Sequence, residues 1–139
     1  MEGSVKNLSV YRLENARESL ALAKELLERD DFRFAMNRSY YAIFHALRAV
    51  NCLDGFDSSK HKGVIAHFNK EHVKKGDFPS DVSKMITSAM EIRQKSDYED
   101  FYVVSKSDAV KQIENAEYIV ELIAEYLKPV IGGQAGGAN

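Results

Sequence analysis

The sequence predicts an all-α protein, an up-and-down bundle of four long helices plus one short helix. Apolar residues recur at intervals of three and four along most of the chain, which is the period of one helix face. The 139 residues include only two prolines and eight glycines, so few backbone breaks interrupt these segments. The alternation of apolar and polar residues that marks a half-buried strand does not occur.

The first two helices follow directly from this periodicity. The first is amphipathic, extends for about 20 residues, and has the stripe Leu13, Ala16, Leu20, Ala23 and Leu27. Asp30 and Asp31 are expected to end it and to cap the next helix. The second helix is predicted from residue 32 to about residue 53. It is apolar on nearly every side, as expected for a helix buried on more than one side, and its core stripe is Met36, Tyr40, Ile43, Leu47 and Val50.

The remaining elements are separated by two polar loops. Residues 54–59 form the first loop, and Ser58 or Ser59 is expected to cap a short helix that carries Val64, Ile65 and Phe68. Residues 74–78 form the second, and Pro79 suits the first turn of the helix that follows. That helix has the stripe Val82, Met85, Ala89 and Ile92 and is expected to end near residues 97–98.

The last helix sets the predicted domain boundary. Ser107 or Asp108 is expected to cap it, and Pro129 with the glycines behind it is expected to end it. Its stripe is Ile113, Ala116, Val120, Ile123 and Leu127. Residues 1–130 are therefore predicted to form a single helical domain. Four glycines lie in the last eight residues, which have little to bury, so residues 131–139 are predicted to be a disordered tail.

Composition narrows the classes of function. The formal net charge is −2 and the pI is about 6.1, whereas proteins that hold long nucleic acid by phosphate neutralisation are usually strongly basic. Any contact with nucleic acid should therefore be local. Cys52 is the single cysteine, which excludes an intramolecular disulfide and a cysteine-based zinc site. No apolar run approaches the roughly 20 residues that cross a bilayer. The sequence thus predicts a cytoplasmic protein without a membrane partner.

The second helix carries an unusual pair of polar residues. Arg38 and His45 are seven residues apart, so they lie within about 20° of one another, two turns along one face. Tyr41 and Arg48 share this face, with Ala42 and Ala49 beside the pair. Burying an Arg and a His in a monomer core is costly unless they are paired. The face therefore favours a homodimer formed through the second helix, where two Arg38–His45 pairs would converge.

Such a pair suits metal-independent cleavage of RNA. The 2′-hydroxyl of the RNA is the nucleophile, so the protein has to move a proton and stabilise a phosphate. His45 can move the proton, and Arg38 can stabilise the developing charge. A structural alternative stays open at this point. In it, Arg38 pairs with a carboxylate and a backbone carbonyl satisfies His45.

The sequence around this pair resembles a known family. Residues 38–47, Arg-Ser-Tyr-Tyr-Ala-Ile-Phe-His-Ala-Leu, resemble the core motif of HEPN-domain proteins, in particular the small stand-alone prokaryotic members. His61 with Gly63 looks like the family's short helix. Arg93 followed by Asp97 and Tyr98 resembles its Arg-x-x-x-Asp-Tyr element. The resemblance extends from about residue 8 to residue 127.

The resemblance implies a helical bundle that dimerises through the motif helices. Active members are metal-independent endoribonucleases with an arginine and a histidine separated by four to six residues, and six separate Arg38 from His45. Many are toxins paired with a minimal nucleotidyltransferase that acts as the antitoxin. Others resemble accessory subunits of such enzymes. The chain departs from the family at Ser39, where active members usually have Asn, Asp or His. It also has Leu47 where some members carry a tyrosine that receives AMP.

The other candidate residues have weaker signals. Ser39 is expected to assist the catalytic pair, and Tyr41, Arg48 and Arg93 to contact substrate, although a structural Arg93–Asp97 ion pair is the favoured role for Arg93. The remaining histidines, His61, His67 and His72, do not share metal-ligand spacing on one helix face, so they are expected to be solvated surface residues. No metal and no other cofactor is predicted. The basic stretch 60–75 either guides RNA or is a solvated face.

Two functional hypotheses follow. In the first, the dimer is a ribonuclease toxin whose substrate is RNA and whose antitoxin is a minimal nucleotidyltransferase. In the second, it is a non-catalytic module that docks such a nucleotidyltransferase or binds a nucleotide. A purely structural helical dimer is a third interpretation.

Overall fold

Helices account for nearly all of the regular structure. The structure, a computed structural model, describes the backbone of residues 2–137 and the side chains of residues 4–131. Five α-helices follow one another, α1 (Glu2–Glu28), α2 (Phe32–Asn51), α3 (His61–Phe68), α4 (Asp81–Tyr98) and α5 (Lys106–Gly137). No strand occurs within residues 2–137. The predicted class of four long helices and one short helix is confirmed.

Helix α2 lies at the centre, in contact with each of the other four helices. Its predicted core stripe is confirmed, since each member is at most 3% exposed: Met36, Tyr40, Ile43, Leu47 and Val50. Ala42 and Ala49 are also fully buried within the protomer. Ser9 of α1 donates a hydrogen bond from Oγ to the carbonyl of Ala49 over 2.7 Å. Both alanines are therefore covered within the protomer itself and are not available to a second protomer.

Helix α2 ends two residues earlier than predicted. Its last turn tightens into a 3₁₀ turn over Cys52–Asp54. Gly55 then adopts φ +80°, a left-handed conformation that glycine adopts without a steric penalty. The Asn51 amide donates to the carbonyl of Val64 over 3.1 Å and ties the end of α2 to α3.

A π-turn extends α3 at its C-terminal end. Asn69–Val73 form this turn, and the amide of Lys74 donates to the carbonyl of Asn69, five residues back, over 2.9 Å. The turn brings His72 into the interior, where it is 4% exposed, while His61 and His67 are half-buried. The prediction that these histidines are solvated was wrong. It assumed α-helical spacing, which the π-turn changes.

The sequence predicts the end of α4 correctly, but not the cap or the end of α5. Helix α4 ends at Tyr98, as predicted. The side-chain cap of α5 is Ser105, whose Oγ accepts from the amide of Asp108 over 3.1 Å, rather than the predicted Ser107 or Asp108. Helix α5 continues through Pro129 to Gly137, so its predicted end at Pro129 was wrong. Burial of Ile131 in the core favours the longer helix.

The predicted domain boundary lies close to the end of the described residues. Residues 138–139 of the predicted tail lie outside the described residues, and the division at residue 130 stays a prediction. No helix within the described residues is long and apolar enough to cross a membrane.

The position of α2 predicts which leucines stabilise the fold. We expect Leu47→Ala to lower the free energy of unfolding by about 2–5 kcal/mol, because it leaves a cavity in the core. Leu22→Ala, at a residue that is 41% exposed on α1, is the matched control and should change it by about 0.5 kcal/mol. Urea denaturation measures both. Equal losses in the two variants would contradict the central position of α2.

Candidate functional site

One face of α2 stays partly open and carries the predicted site residues. Arg38, Tyr41, His45 and Arg48 are three or four residues apart, so they share a helix face, and all four are half-buried. Arg93 of α4 reaches the same place. We refer to these five residues as the Arg–His face. Phe34 lies one turn before Arg38 and is 60% exposed.

Tyr41 connects the members of the Arg–His face. The Arg38 guanidinium lies over its ring, 4.9 Å from the ring centre. Arg93 donates a hydrogen bond from a terminal nitrogen to the Tyr41 hydroxyl over 3.2 Å. The His45 ring centre is 6.2 Å from that of Tyr41. The tyrosine therefore contacts two guanidinium groups, one through a cation–π contact and one through a hydrogen bond, and its ring lies beside the imidazole.

Arg93 takes part in both interactions that the sequence suggested. Its Nε lies 3.8 Å from a carboxylate oxygen of Asp97, so the predicted ion pair is present but long. That Nε is buried and makes no hydrogen bond. The hydrogen bond to Tyr41 places the same side chain on the Arg–His face.

Arg48 has a carboxylate partner, which it shares with a second arginine, and neither contact was predicted from the sequence. Asp57, from the loop before α3, lies 3.1 Å from Arg48 and 2.9 Å from Arg12 of α1. Hydrogen bonds from Arg12 and Arg48 lower the pKa of Asp57. No pattern in the sequence links Arg12 to Arg48, because the pairing depends on how α1 packs against α2.

Arg38 and His45 lack comparable partners. Arg38 donates to the side-chain oxygen of Asn37 over 3.2 Å, and none of the side chains of residues 4–131 forms an ion pair with it. Within the same residues, the His45 ring has aromatic neighbours but no hydrogen-bond partner. The structural alternative, in which a carboxylate and a carbonyl satisfy this pair, is thus not what the protomer shows.

The surroundings of His45 favour its neutral form. Burial lowers the pKa of His45 below its ordinary value, and the positive charges of Arg48, Arg38 and Arg12 lower it further. A neutral imidazole at physiological pH can accept a proton.

Ser39 lies away from this face. It is fully buried, and its hydroxyl donates to the carbonyl of Met36 over 2.8 Å. The same hydroxyl accepts a hydrogen bond from Gln112 of α5 over 2.7 Å. One residue along a helix corresponds to a rotation of about 100°, which turns Ser39 away from Arg38 and into the bundle. In the protomer Ser39 therefore joins α2 to α5 and does not reach the Arg–His face.

His61 and a cavity complete the surroundings of the face. The His61 ring stacks on Phe44, with centres 4.2 Å apart, and is hydrogen-bonded to the Tyr40 hydroxyl. Burial, followed by the charges of Arg93 and Arg48, lowers the pKa of His61. A cavity of 330 Å³ opens beside the face, and Phe34, Asn37 and Arg93 are among the residues that line it. This volume is in the range of small-molecule sites.

The fold and this site together define a class, an all-α protein with a cationic and aromatic face around an Arg/His pair. The HEPN domain family model matches residues 9–126. The chain belongs to the HEPN domain family.

Relatives agree with this assignment. A UPF0332 protein of Thermotoga maritima is 33% identical over 118 residues, which cover 85% of this chain and 89% of the relative. A Methanocaldococcus jannaschii protein named as a candidate toxin, MJ0605, is 34% identical over 119 residues, which cover 86% of this chain and 88% of the relative. The crystal structure of TT1696 from Thermus thermophilus superposes with a TM-score of 0.73 at 20% identity, covering 86% of this chain and 98% of TT1696. That likeness shows the fold.

The charges around His45 predict its titration. We expect His45 to titrate below its ordinary pKa of about 6.5, because burial and three arginines disfavour the imidazolium form. Removing the arginine charge with the largest effect, in Arg48→Gln, should raise the pKa of His45. Arg17→Gln, on the exposed side of α1, should leave it unchanged. NMR titration of the histidine ring protons measures the pKa of His45 in the wild type and in both variants. A His45 pKa at or above the ordinary value would contradict this electrostatic picture.

Proposed function

We propose that this protein is a metal-independent endoribonuclease, the toxin of a toxin–antitoxin pair. Arg38 and His45 share one open face, and among the side chains of residues 4–131 Arg38 has no ion-pair partner and the His45 ring has no hydrogen-bond partner; this observation carries the proposal. The names of the Methanocaldococcus jannaschii relatives, both candidate toxins, support the toxin role. Such an enzyme would meet its RNA substrate in the cytoplasm.

A homodimer formed through α2 would complete the site. The Arg–His face is only half-buried, and the aromatic side chain of Phe34 beside it is exposed. Arg48 and Arg93 also have a buried Nε without a hydrogen-bond partner. A two-fold axis across this face would bring two Arg38–His45 pairs into one cleft and supply polar partners for these groups.

The proposed reaction uses the nucleophile of the RNA itself. Neutral His45 of one protomer accepts the proton of the 2′-hydroxyl, and the 2′-oxygen attacks the adjacent phosphorus. The bond to the 5′-oxygen breaks, and this oxygen takes the proton from the imidazolium that the same His45 became in the first step. The products are a 2′,3′-cyclic phosphate and a 5′-hydroxyl, so every proton is accounted for without a metal.

The arginines have separate roles in this reaction. Arg38 has no carboxylate partner among the side chains of residues 4–131, so its full charge can stabilise the negative charge that develops on the phosphate. Arg93, held by its hydrogen bond to the Tyr41 hydroxyl, contributes a second guanidinium group to the face. Arg48 is already paired with Asp57, and its proposed contribution is to keep His45 neutral. These arginines make the face locally positive, so it can bind RNA phosphate although the net charge of the chain is −2.

A second candidate function rests on Ser39. Active family members usually have a larger polar residue at this position. Here the buried Ser39 hydroxyl accepts a hydrogen bond from Gln112 inside the bundle. A cleft without that polar group suits a non-catalytic module that docks a minimal nucleotidyltransferase or holds a nucleotide.

The ribonuclease proposal predicts cleavage of a mixed, labelled RNA pool in the presence of EDTA. We expect His45→Ala to slow cleavage by about 10²–10⁴-fold, since it removes the proton-transfer group. Arg38→Ala should slow it by about 10²–10³-fold, since it removes stabilisation of the phosphate charge. Arg17→Ala, an exposed arginine paired with Glu121, is the matched control and should cleave at the wild-type rate.

Two observations would decide against this proposal. A monomer in light scattering at micromolar concentration would contradict the composite cleft. A well-folded dimer, freed of any copurified partner, that leaves the RNA intact would contradict the ribonuclease and favour the docking module.

A further inference from the structure

A second cluster of chemically active side chains lies beyond the C-terminal end of α2. Oδ2 of Asp54 is 2.9 Å from Nε2 of His67 and 2.6 Å from Nε2 of His72. The three atoms all lie within 4.8 Å of one another. No other group of three or more metal-ligating side chains of this kind is found among the described residues.

The π-turn brings the two histidines together. His72 follows His67 by five positions, and in an α-helix this spacing would leave them about 140° apart. A π-turn closes hydrogen bonds over five positions, so it has more residues per turn and brings side chains at that spacing closer to one face. Such turns are rare and occur frequently at functional sites. Here the turn begins at Asn69, between the two histidines.

The cluster is supported by groups outside it. Nδ1 of His72 lies 3.0 Å from a carboxylate oxygen of Asp77, so both ring nitrogens of His72 have carboxylate neighbours. The Tyr126 hydroxyl lies 3.4 Å from the same oxygen of Asp77 and donates to it. Phe56 stacks on His67 with ring centres 4.2 Å apart. A carboxylate behind a histidine and an apolar shell around it are the features that orient metal-binding histidines.

We propose that Asp54, His67 and His72 form a site for a divalent transition-metal ion, with zinc as the ion that suits it best. Two imidazole nitrogens and one carboxylate oxygen are a ligand set that zinc uses in proteins, with a fourth position open to water or another ligand. The absence of sulfur among these ligands disfavours soft ions such as copper(I).

The geometry requires only a small rearrangement to admit the ion. Ligands at about 2.0–2.1 Å from a tetrahedral zinc are about 3.3–3.4 Å apart. The present separations from Asp54 are 2.9 and 2.6 Å, and all three atoms lie within 4.8 Å of one another, so the ligand atoms have to shift by up to about 1.5 Å. Asp54 is at the surface, and it lines a cavity of 410 Å³ together with His72 and Tyr126, so an ion can enter.

The site is distinct from that of the proposed ribonuclease. At about 1.5 Å per residue, Asp54 lies about 14 Å along the α2 axis from His45. Metal binding therefore does not require cleavage activity, and cleavage in EDTA does not require the metal.

Isothermal titration of untagged protein, stripped with EDTA and dialysed, with zinc chloride tests the site. We expect one saturable site per chain. His67→Gln and Asp54→Asn should each weaken binding at least tenfold, and Asp77→Asn should weaken it by about 10–100-fold because it removes the carboxylate behind His72. His45→Gln, a matched half-buried histidine of the Arg–His face, should bind zinc as the wild type does.

A second measurement covers variants that lose stability. Zinc should raise the melting temperature of the wild type and of His45→Gln but not that of Asp54→Asn, whose substitution lies at the surface. Cobalt(II) should give the intense visible absorption of a four- or five-coordinate centre in the wild type and in His45→Gln, but not in Asp54→Asn. No saturable zinc binding, or equal affinity in the wild type and both ligand variants, would overturn the proposal.

Discussion

The close packing of α1 against α2 is the constraint on which the rest of the structure depends. Ala42, Ala46 and Ala49 are fully buried, and side chains of this size allow two helices to approach closely. The hydrogen bond from Ser9 to the carbonyl of Ala49 fixes the two helices relative to one another. This packing leaves only one strip of α2 open, the strip with Arg38 and His45. It also places Arg12 of α1 beside that strip, which no periodicity within α2 specifies.

The electrostatics of the Arg–His face follow from this packing. Several guanidinium groups lie close to one imidazole, an arrangement that is unfavourable unless an anion compensates it. Asp57 supplies one negative charge, which Arg12 and Arg48 share. Arg38 has no such carboxylate among the side chains of residues 4–131. An anionic ligand could therefore supply the partner that the Arg38 guanidinium lacks. The attraction between this guanidinium and a phosphate would be stronger here than in water, because the surroundings are partly desolvated.

Much of the fold was predictable from the sequence, because helical periodicity and burial agree along most of the chain. The core stripe of α2 and the shared face of Arg38 and His45 need only the period of a helix. Ser39 was misjudged because its partner, Gln112, lies 73 residues away. His67 and His72 were misjudged because the sequence gives no sign that the helix changes register between them. The end of α5 was misjudged because a local signal, Pro129, is opposed by burial of Ile131, a tertiary contact.

The segment from Asp54 to His61 connects the two sites. Asp54 belongs to the histidine cluster, Asp57 holds Arg12 and Arg48, and His61 stacks on Phe44 behind the Arg–His face. The backbone between these residues is a short loop, so the arrangement of both sites depends on its conformation. Any ligand of the cluster that fixes this loop would therefore change the free energy of holding Asp57 against Arg48. By thermodynamic reciprocity, a ligand on the Arg–His face that draws Arg48 away from Asp57 would alter the affinity of the cluster by the same factor.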